Sequence, residues 1–192
     1  FHNVVDNRCV HVQNLDDLPK SFYGLTCEAA ERWISRPFAY ATLALNYYLG
    51  GTDVVGYHIV NFAIHLSAAF FLFLLIRLTL TLPTMNERYG NIAYPVALLS
   101  TFLWATSPLH VHAVTIIVQR MASMAGLFYV ASLYFYVRAR CVVSGKARIA
   151  DCLLCGMCAA LAFATKENAA VLPVTMLLYD LFFIQGISAE SV

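Results

Sequence analysis

Charged residues are scarce in this sequence: Asp, Glu, Lys and Arg make up 12% of its 192 residues, while 60% of the residues are hydrophobic. Soluble domains usually carry about 25% charged and about 45–50% apolar residues. The composition therefore excludes an ordinary soluble domain and indicates a membrane protein or part of one. The formal net charge of +1 gives no overall basic signal, so we do not expect nucleic acid as a partner.

Several motifs are also missing. The sequence contains no P-loop, no G-x-S-x-G and no G-x-G-x-x-G, so ATP-driven and soluble hydrolase chemistry have no support. It shows no repeat of fixed period and no low-complexity stretch. No signal peptide precedes the loop-like opening at Phe1, and we expect the natural protein to extend upstream of Phe1 and beyond Val192.

The first part of the chain, residues 1–56, mixes acidic and basic side chains that hydrocarbon would not tolerate. We interpret it as an outer-side loop with short interfacial helices. Residues 38–48, FAYATLALNYY, are apolar but too few to span a bilayer, which takes about 20 residues, so they predict a helix at the interface. Cys9 and Cys27 form a disulfide if this loop faces an oxidising compartment, and two free thiols are an equally good interpretation.

Residues 57–192 predict an all-α transmembrane bundle of about five spans, at 57–82, 92–106, 121–143, 149–165 and 168–184. Two of the connecting loops are rich in cations and predict the cytoplasmic side; they carry Arg77, Arg88, Arg138, Arg140, Lys146 and Arg148. The opposite loops contain only Arg120 and Lys166. Residues 1–56, the SPLHVHAV segment and the Lys166-Glu167 turn would then share the outer side, in the periplasm or lumen.

Polar groups collect at the outer ends of these spans. His58, Asn61 and His65 follow a spacing of i, i+3 and i+7, which places them on one helix face. Because polar groups are costly in lipid, that face should turn into the bundle, either for interhelical hydrogen bonds or toward a wet cavity.

Cations accompany these histidines at Arg36, Arg120 and Lys166, and His110 follows Ser107-Pro108. Each cation has an ordinary explanation, such as snorkelling to headgroups, and Glu167 suits a helix N-terminus. Three cations with histidines on one side favour a site for an anionic headgroup, with guanidinium groups suited to phosphate.

A metal site has little support. His110 and His112 lack an obvious third ligand, and zinc usually takes three or four. Cys152, Cys155 and Cys158 recur every third residue, which favours close packing of small residues over an iron–sulfur site. We expect no cofactor, and a requirement for a divalent metal stays open.

Four motifs occur in a recognisable order: Arg36-Pro37 with ALNYYLGG, then GYHIVNFAIHL, SPLHVHAVTIIVQRMASMAGLFY and ATKENAAVLPVTMLLYD. With them the chain resembles the membrane part of the C-type (GT-C) glycosyltransferase superfamily. It is most similar to the transmembrane, tetratricopeptide-repeat proteins that include protein O-mannosyltransferases acting on cadherins. The VQRMASMAGLFY segment resembles their bacterial relatives.

The resemblance implies a polytopic enzyme that moves a sugar from a polyprenyl-phosphate carrier to an acceptor, a protein hydroxyl or a lipid, on the outer side of the membrane. It implies phosphate or sugar contacts for Arg36, His58, His110, Arg120 and Lys166, and an orienting role for Glu167. The family's catalytic Asp-Asp pair would lie upstream of Phe1, so Asp6 is the substitute candidate for the base here, and Asp16-Asp17 is given no role.

Two other functions remain as alternatives to this transferase. One is a non-enzymatic membrane transporter or assembly scaffold, because polar stripes also suit ion pathways. The other is an enzyme of the same superfamily that modifies lipid headgroups. The expected location is the bacterial inner membrane, or the endoplasmic reticulum membrane in a eukaryote, with membrane lipids as further partners.

Overall fold

The structure is a computed structural model that describes residues 10–14, 16 and 36–186. These residues contain eight α-helices and no strand, which confirms the predicted all-α class. The helices are α1 Pro37–Gly50, α2 Val54–Leu80, α3 Pro83–Tyr89, α4 Ala93–Ala105, α5 Val111–Thr115, α6 Arg120–Cys141, α7 Gly145–Phe163 and α8 Leu172–Tyr179. Short 3-10 turns precede α4, α5, α6 and α8, and a π-helical turn, Asp180–Gln185, follows α8.

Helix α1 corresponds to the predicted interfacial helix. Pro37 opens it at a position where a missing N–H is harmless. It ends at Gly51, whose φ of 57° is a left-handed conformation that favours glycine. The Gly51 N–H bonds to the Tyr47 carbonyl at 2.7 Å, and its carbonyl accepts from the Tyr57 hydroxyl at 2.9 Å. The glycine turn therefore ties the end of α1 to the start of α2.

A broken helix follows the long α2. Between α4 and α5 the chain bends by 52°, at the place where Ser107-Pro108 predicts the end of a span. Proline cannot continue the hydrogen-bond ladder, and the Ser107 hydroxyl accepts from the Leu109 N–H at 3.4 Å to begin the next turn. The segment with the two histidines consequently leaves the axis of α4, and its Val114 carbonyl bonds to His58 of α2.

Helices α2 and α6 run parallel. Arg120 at the start of α6 bonds to Asn61 near the start of α2, and farther along Leu75 of α2 shares an apolar cluster with Leu133 and Val137 of α6. Helix α4 returns antiparallel to α2, because its last residues meet His65. The starts of α2 and α6 and the end of α4 therefore lie at the same end of the bundle.

Helix α7 returns antiparallel to α6, and α8 runs parallel to α6. Near the end of α6, Arg138 pairs with Asp151 in the early turns of α7. Arg140 pairs with Asp180, just after α8. These two ion pairs fasten three helices together at the end of α6.

The bundle therefore has two distinct ends. We name the end at which α2 and α6 begin the site end; it holds Arg36, His58, His110, Arg120, Lys166 and Glu167. We name the opposite end the arginine end; it holds Arg77, Arg88, Arg138, Arg140, Lys146 and Arg148. This charge asymmetry is the one that predicts the orientation in the membrane, and which end faces the cytoplasm stays a prediction.

By length and apolar composition, two stretches of the described chain are able to cross a membrane: Val54–Leu80 and Glu167–Gln185. The bent pair Pro83–Ala105 and Pro108–Thr115 gives a third if it forms one span. The other two predicted spans coincide with α6 and α7, which carry more polar and charged residues. The division at residue 56 and the count of about five spans remain predictions.

Candidate functional site

Arg120 begins α6 and is wholly enclosed, with 0% of its surface exposed. Its Nε donates to Asn61 Oδ1 at 2.8 Å, and its Nη1 donates to Asn46 Oδ1 at 2.6 Å. Nη1 also donates to the Thr42 carbonyl, and Nη2 to the Tyr57 carbonyl, each at 3.1 Å. One side chain therefore joins α1, α2 and α6.

The partners of Arg120 are neutral oxygens, and no carboxylate in the described part of the chain pairs with it. The Tyr57 ring lies 5.6 Å from the guanidinium carbon, in cation–π range. A buried charge needs hydrogen-bond partners, and Arg120 finds them on two other helices. Its predicted phosphate contact is untested, and the enclosure favours a structural role instead.

The polar face of α2 does turn inward, and its groups bond to backbone carbonyls. His58 Nδ1 donates to the Val114 carbonyl at 3.1 Å, and Asn61 Nδ2 approaches the same carbonyl at 3.4 Å. His65 Nε2 donates to the Ala105 carbonyl at 3.0 Å. The stripe therefore holds α5 and the end of α4 against α2, which is the interhelical hydrogen bonding that its spacing allowed.

Three rings stand together where α2, α4 and the Pro108 turn meet. The rings of His65 and Trp104 stack with centroids 5.1 Å apart, and His110 lies 4.4 Å from Trp104. They line a cavity of about 290 Å³, which we name the histidine cavity. The rest of its lining is small or apolar apart from the Ser123 hydroxyl: Ala68, Leu72, Ala113, Ala122, Gly126 and Val130.

Replacing His65 with phenylalanine should destabilise the bundle modestly. Phenylalanine keeps a ring against Trp104 but removes the N–H that the Ala105 carbonyl accepts. Interhelical hydrogen bonds in membranes average about 0.6 kcal/mol with maxima near 1.7, so we expect a loss of about 1 kcal/mol in unfolding free energy in detergent. His112→Phe is the matched control, because His112 is exposed and should change nothing. Equal stabilities for both variants would remove His65 as an interhelical tie.

Lys166 lies on the other side of α6, in the turn between α7 and the 3-10 segment Glu167–Val171. It is half-buried and has no ion-pair partner among the described residues. With Tyr129 and Asn168 it lines a cavity of about 220 Å³. Ala122 and Gly126 line this cavity as well as the histidine cavity, so the two spaces adjoin the same small-residue face of α6.

Arg36 and Glu167 form an ion pair at 3.2 Å beside Lys166. Both side chains are partly exposed, at 34% and 55%, and Arg36 Nη1 also points at the Met121 sulfur, 3.6 Å away. The Phe38 N–H bonds to the Ala164 carbonyl at 3.2 Å, which fixes α1 against the end of α7. Segments that are far apart in sequence therefore converge at the site end, as the cluster predicted.

Comparison with curated proteins finds several proteins named protein O-mannosyl-transferase. The chain is 30% identical over 159 residues to "Protein O-mannosyl-transferase tmtc2" of Xenopus laevis, covering 82% of this chain and 18% of that protein. It is 32% identical over 116 residues to TMTC4 of Mus musculus, covering 54% and 14%. It is 27% identical over 143 residues to F38B6.6 of Caenorhabditis elegans, covering 72% and 19%.

This chain is a homologue of the TMTC O-mannosyl-transferases. The predicted resemblance is thereby confirmed, whereas the similarity to bacterial members stays a prediction, since the relatives named here are animal proteins. The chain spans less than a fifth of the length of these relatives. No protein-family model and no solved structure matches it.

Three residues singled out in the sequence have no described position. Asp6, Cys9 and Cys27 lie outside the described residues. Within the described residues no group of three or more His, Cys, Asp or Glu could hold a metal ion. Cys152 is exposed, Cys155 is half-buried and Cys158 is buried along α7.

Sequence reasoning missed several contributors to the site end. Asn46 is a lone amide in the apolar run ATLALNYY, a sign of a buried hydrogen bond that the interfacial interpretation overlooked. Trp104 stands just before Ser107-Pro108, where a large ring at a helix end suits a cavity wall. Tyr129 carried no local signal, because only the packing of α6 beside Lys166 brings it there.

Proposed function

We propose that this chain forms part of a membrane glycosyltransferase that moves a sugar, mannose in the TMTC case, from a polyprenyl-phosphate carrier to a protein hydroxyl. The relatives' names support mannosyl transfer to protein. The single observation that carries the proposal is Lys166, a half-buried cation without an ion-pair partner among the described residues, in a cavity at the site end. The site end would face the periplasm or the lumen, opposite the arginine end.

The chemistry assigns Lys166 to the leaving group. In such a transfer the bond between the sugar's anomeric carbon and a phosphate oxygen breaks, and the phosphate takes the electron pair. A preorganised cation in a water-poor cavity stabilises that developing charge. Arg36 lies beside Lys166, but Glu167 already balances the charge of Arg36. We therefore propose that Arg36 and Glu167 position the Lys166 turn.

The acceptor side needs a carboxylate that takes the hydroxyl proton as the new bond forms. Asp6 is the candidate within this chain. His58 and His110 complete the proposed donor contacts, with His110 beside the largely apolar histidine cavity. That cavity suits the hydrocarbon part of a lipid carrier better than a free sugar, because its lining offers few hydrogen-bonding groups.

The test is sugar transfer by the full-length protein from mannosyl-phosphoryl-polyprenol to an acceptor protein. Lys166→Met should lower the transfer rate by about tenfold to a hundredfold, since a hydrogen bond to a charged group contributes about 1.5–3 kcal/mol. Lys146→Met, at the arginine end, is the matched control and should transfer at the wild-type rate. Thermal unfolding of Lys166→Met should match the wild type, because no described hydrogen bond depends on the Lys166 ammonium.

A full transfer rate in Lys166→Met would remove its phosphate role. Absence of transfer by the wild-type protein, together with solute transport in sealed vesicles, would favour the transporter alternative instead. That alternative rested on the polar stripe of α2, whose Asn61 and His65 bond to Arg120 and to the backbone. Its groups are engaged in packing, so no described feature favours a transport path.

A further inference from the structure

Among the described residues, the arginine end carries more cations than carboxylates. Six cations lie there, against the described carboxylates of Glu87, Asp151 and Asp180. Two cations are paired, Arg138 with Asp151 and Arg140 with Asp180. The other four form no ion pair with any described residue: Arg77, Arg88, Lys146 and Arg148.

The unpaired Arg148 and the paired Arg140 share a cavity between α6 and α7. It has a volume of about 190 Å³ and is lined by Tyr136, Ala139, Arg140, Arg148 and Cys152. Arg140 uses Nε and Nη2 for Asp180, and Arg148 uses Nη2 for the Val142 carbonyl at 3.0 Å. Both guanidinium groups therefore keep N–H donors that no described residue accepts.

No described carboxylate balances the charge of Arg148, whose guanidinium bonds only to the Val142 carbonyl among the described residues. Together with Lys146, Arg148 lies in the first turn of α7, which contains no acidic residue. Cations are unfavourable there, because the helix dipole is positive at its start. An anion from outside the chain would offset this repulsion and accept the remaining N–H donors.

The surroundings of this cavity indicate where such an anion sits. Next to the two arginines, large apolar side chains face outward: Val143 is 93% exposed, Ile149 is 63% exposed and Leu153 is 69% exposed. Apolar side chains exposed to this degree beside cations match the boundary between acyl chains and headgroups. A soluble anion would have no use for that apolar surface.

We propose that Arg148 binds the phosphate of an anionic membrane phospholipid, with Nη1 of Arg140 as a second donor, and that the acyl chains lie along the exposed apolar face of α7. Guanidinium N–H groups are strong donors to phosphate oxygens, and Arg148 has more of them without a described acceptor than Arg140, whose Nε and Nη2 bond to Asp180. Basic pockets between membrane helices are suited to anionic headgroups. This site is at the opposite end of the bundle from Lys166 and does not depend on the proposed transferase activity.

The test is lipid retention by the purified full chain. The protein is extracted from vesicles of phosphatidylcholine with an equal amount of phosphatidylglycerol, and bound lipid is measured by native mass spectrometry. The wild type should retain phosphatidylglycerol in preference to phosphatidylcholine, and Arg148→Gln should lower that retention about tenfold, since one phosphate-bound arginine is removed. Arg88→Gln is the matched control, because Arg88 is an exposed cation of the same end that does not line the cavity.

Equal losses in Arg148→Gln and Arg88→Gln would overturn the proposal, because they would show diffuse attraction without a site. Wild-type retention in Arg148→Gln would overturn it as well. A separate arm adds inorganic phosphate to the lipid-loaded protein. Displacement of phosphatidylglycerol by inorganic phosphate at comparable concentration would overturn the assignment to a lipid, whereas retention in the presence of excess phosphate is the expected result.

Discussion

Replacing Arg120 with alanine should unfold the site end of the bundle. The change leaves four oxygens, of Asn61, Asn46, Thr42 and Tyr57, without their donor in the protein interior. Hydrogen bonds to a charged group contribute about 1.5–3 kcal/mol each and are not additive. We expect a loss of about 4 kcal/mol or more, a large part of the 5–15 kcal/mol that stabilises a typical protein. Thermal unfolding in detergent measures it.

Arg120→Lys tests the same idea without removing the charge. A lysine ammonium cannot present donors to oxygens on both sides of a planar fork, so most of the stability loss should remain. Arg88→Ala is the control, because Arg88 is exposed and, among residues 36–186, its side chain contacts the Tyr89 ring, and it should stay within about 0.5 kcal/mol of the wild type. Wild-type stability with lost transfer in Arg120→Lys would contradict the structural role and restore the predicted phosphate contact.

The second large effect concerns the ion pair between Arg138 and Asp151: we expect the loss of unfolding free energy to depend strongly on which partner is removed. The arginine side chain is 41% exposed, whereas the aspartate is fully buried at 0%. Removing the arginine strands a carboxylate in the interior, which typically costs about 3–5 kcal/mol. Removing the aspartate leaves a cation that can reach water or headgroups. Arg138→Ala should therefore lower the unfolding free energy by several times as much as Asp151→Ala.

A variant that lacks both charges tests whether an unpaired buried carboxylate causes the loss of stability. With both charges gone no buried charge is left unpaired, so Arg138→Ala with Asp151→Ala should be more stable than Arg138→Ala alone. Denaturant titration of the four proteins in detergent gives the coupling. Equal costs for the two single variants would show that the pair acts through packing of the guanidinium over the Tyr134 and Phe135 rings rather than through burial of the carboxylate.

The inward face of α2 was predictable from local spacing. His58, Asn61 and His65 recur at helical intervals in an apolar helix, and polar groups avoid lipid. The partners were not predictable, because Val114 and Ala105 contribute backbone carbonyls, which every residue carries. The bend after α4 was predictable in position from Ser107-Pro108, but its consequence, a histidine next to Trp104, depends on packing.

The sequence by itself determined an all-α, membrane-type composition, the helices, the inward polar face and a homology to the TMTC O-mannosyl-transferases. It also separated a cation-rich end from the end with the histidines, since charge and spacing are local properties. Only the tertiary structure distinguished Arg120 from Lys166, two cations that each stand just before a predicted span. Arg120 is enclosed by α1 and α2, whereas Lys166 lines a cavity. Whether a charge is satisfied inside the protein depends on which distant segments supply oxygens around it, and chain folding alone brings those segments together.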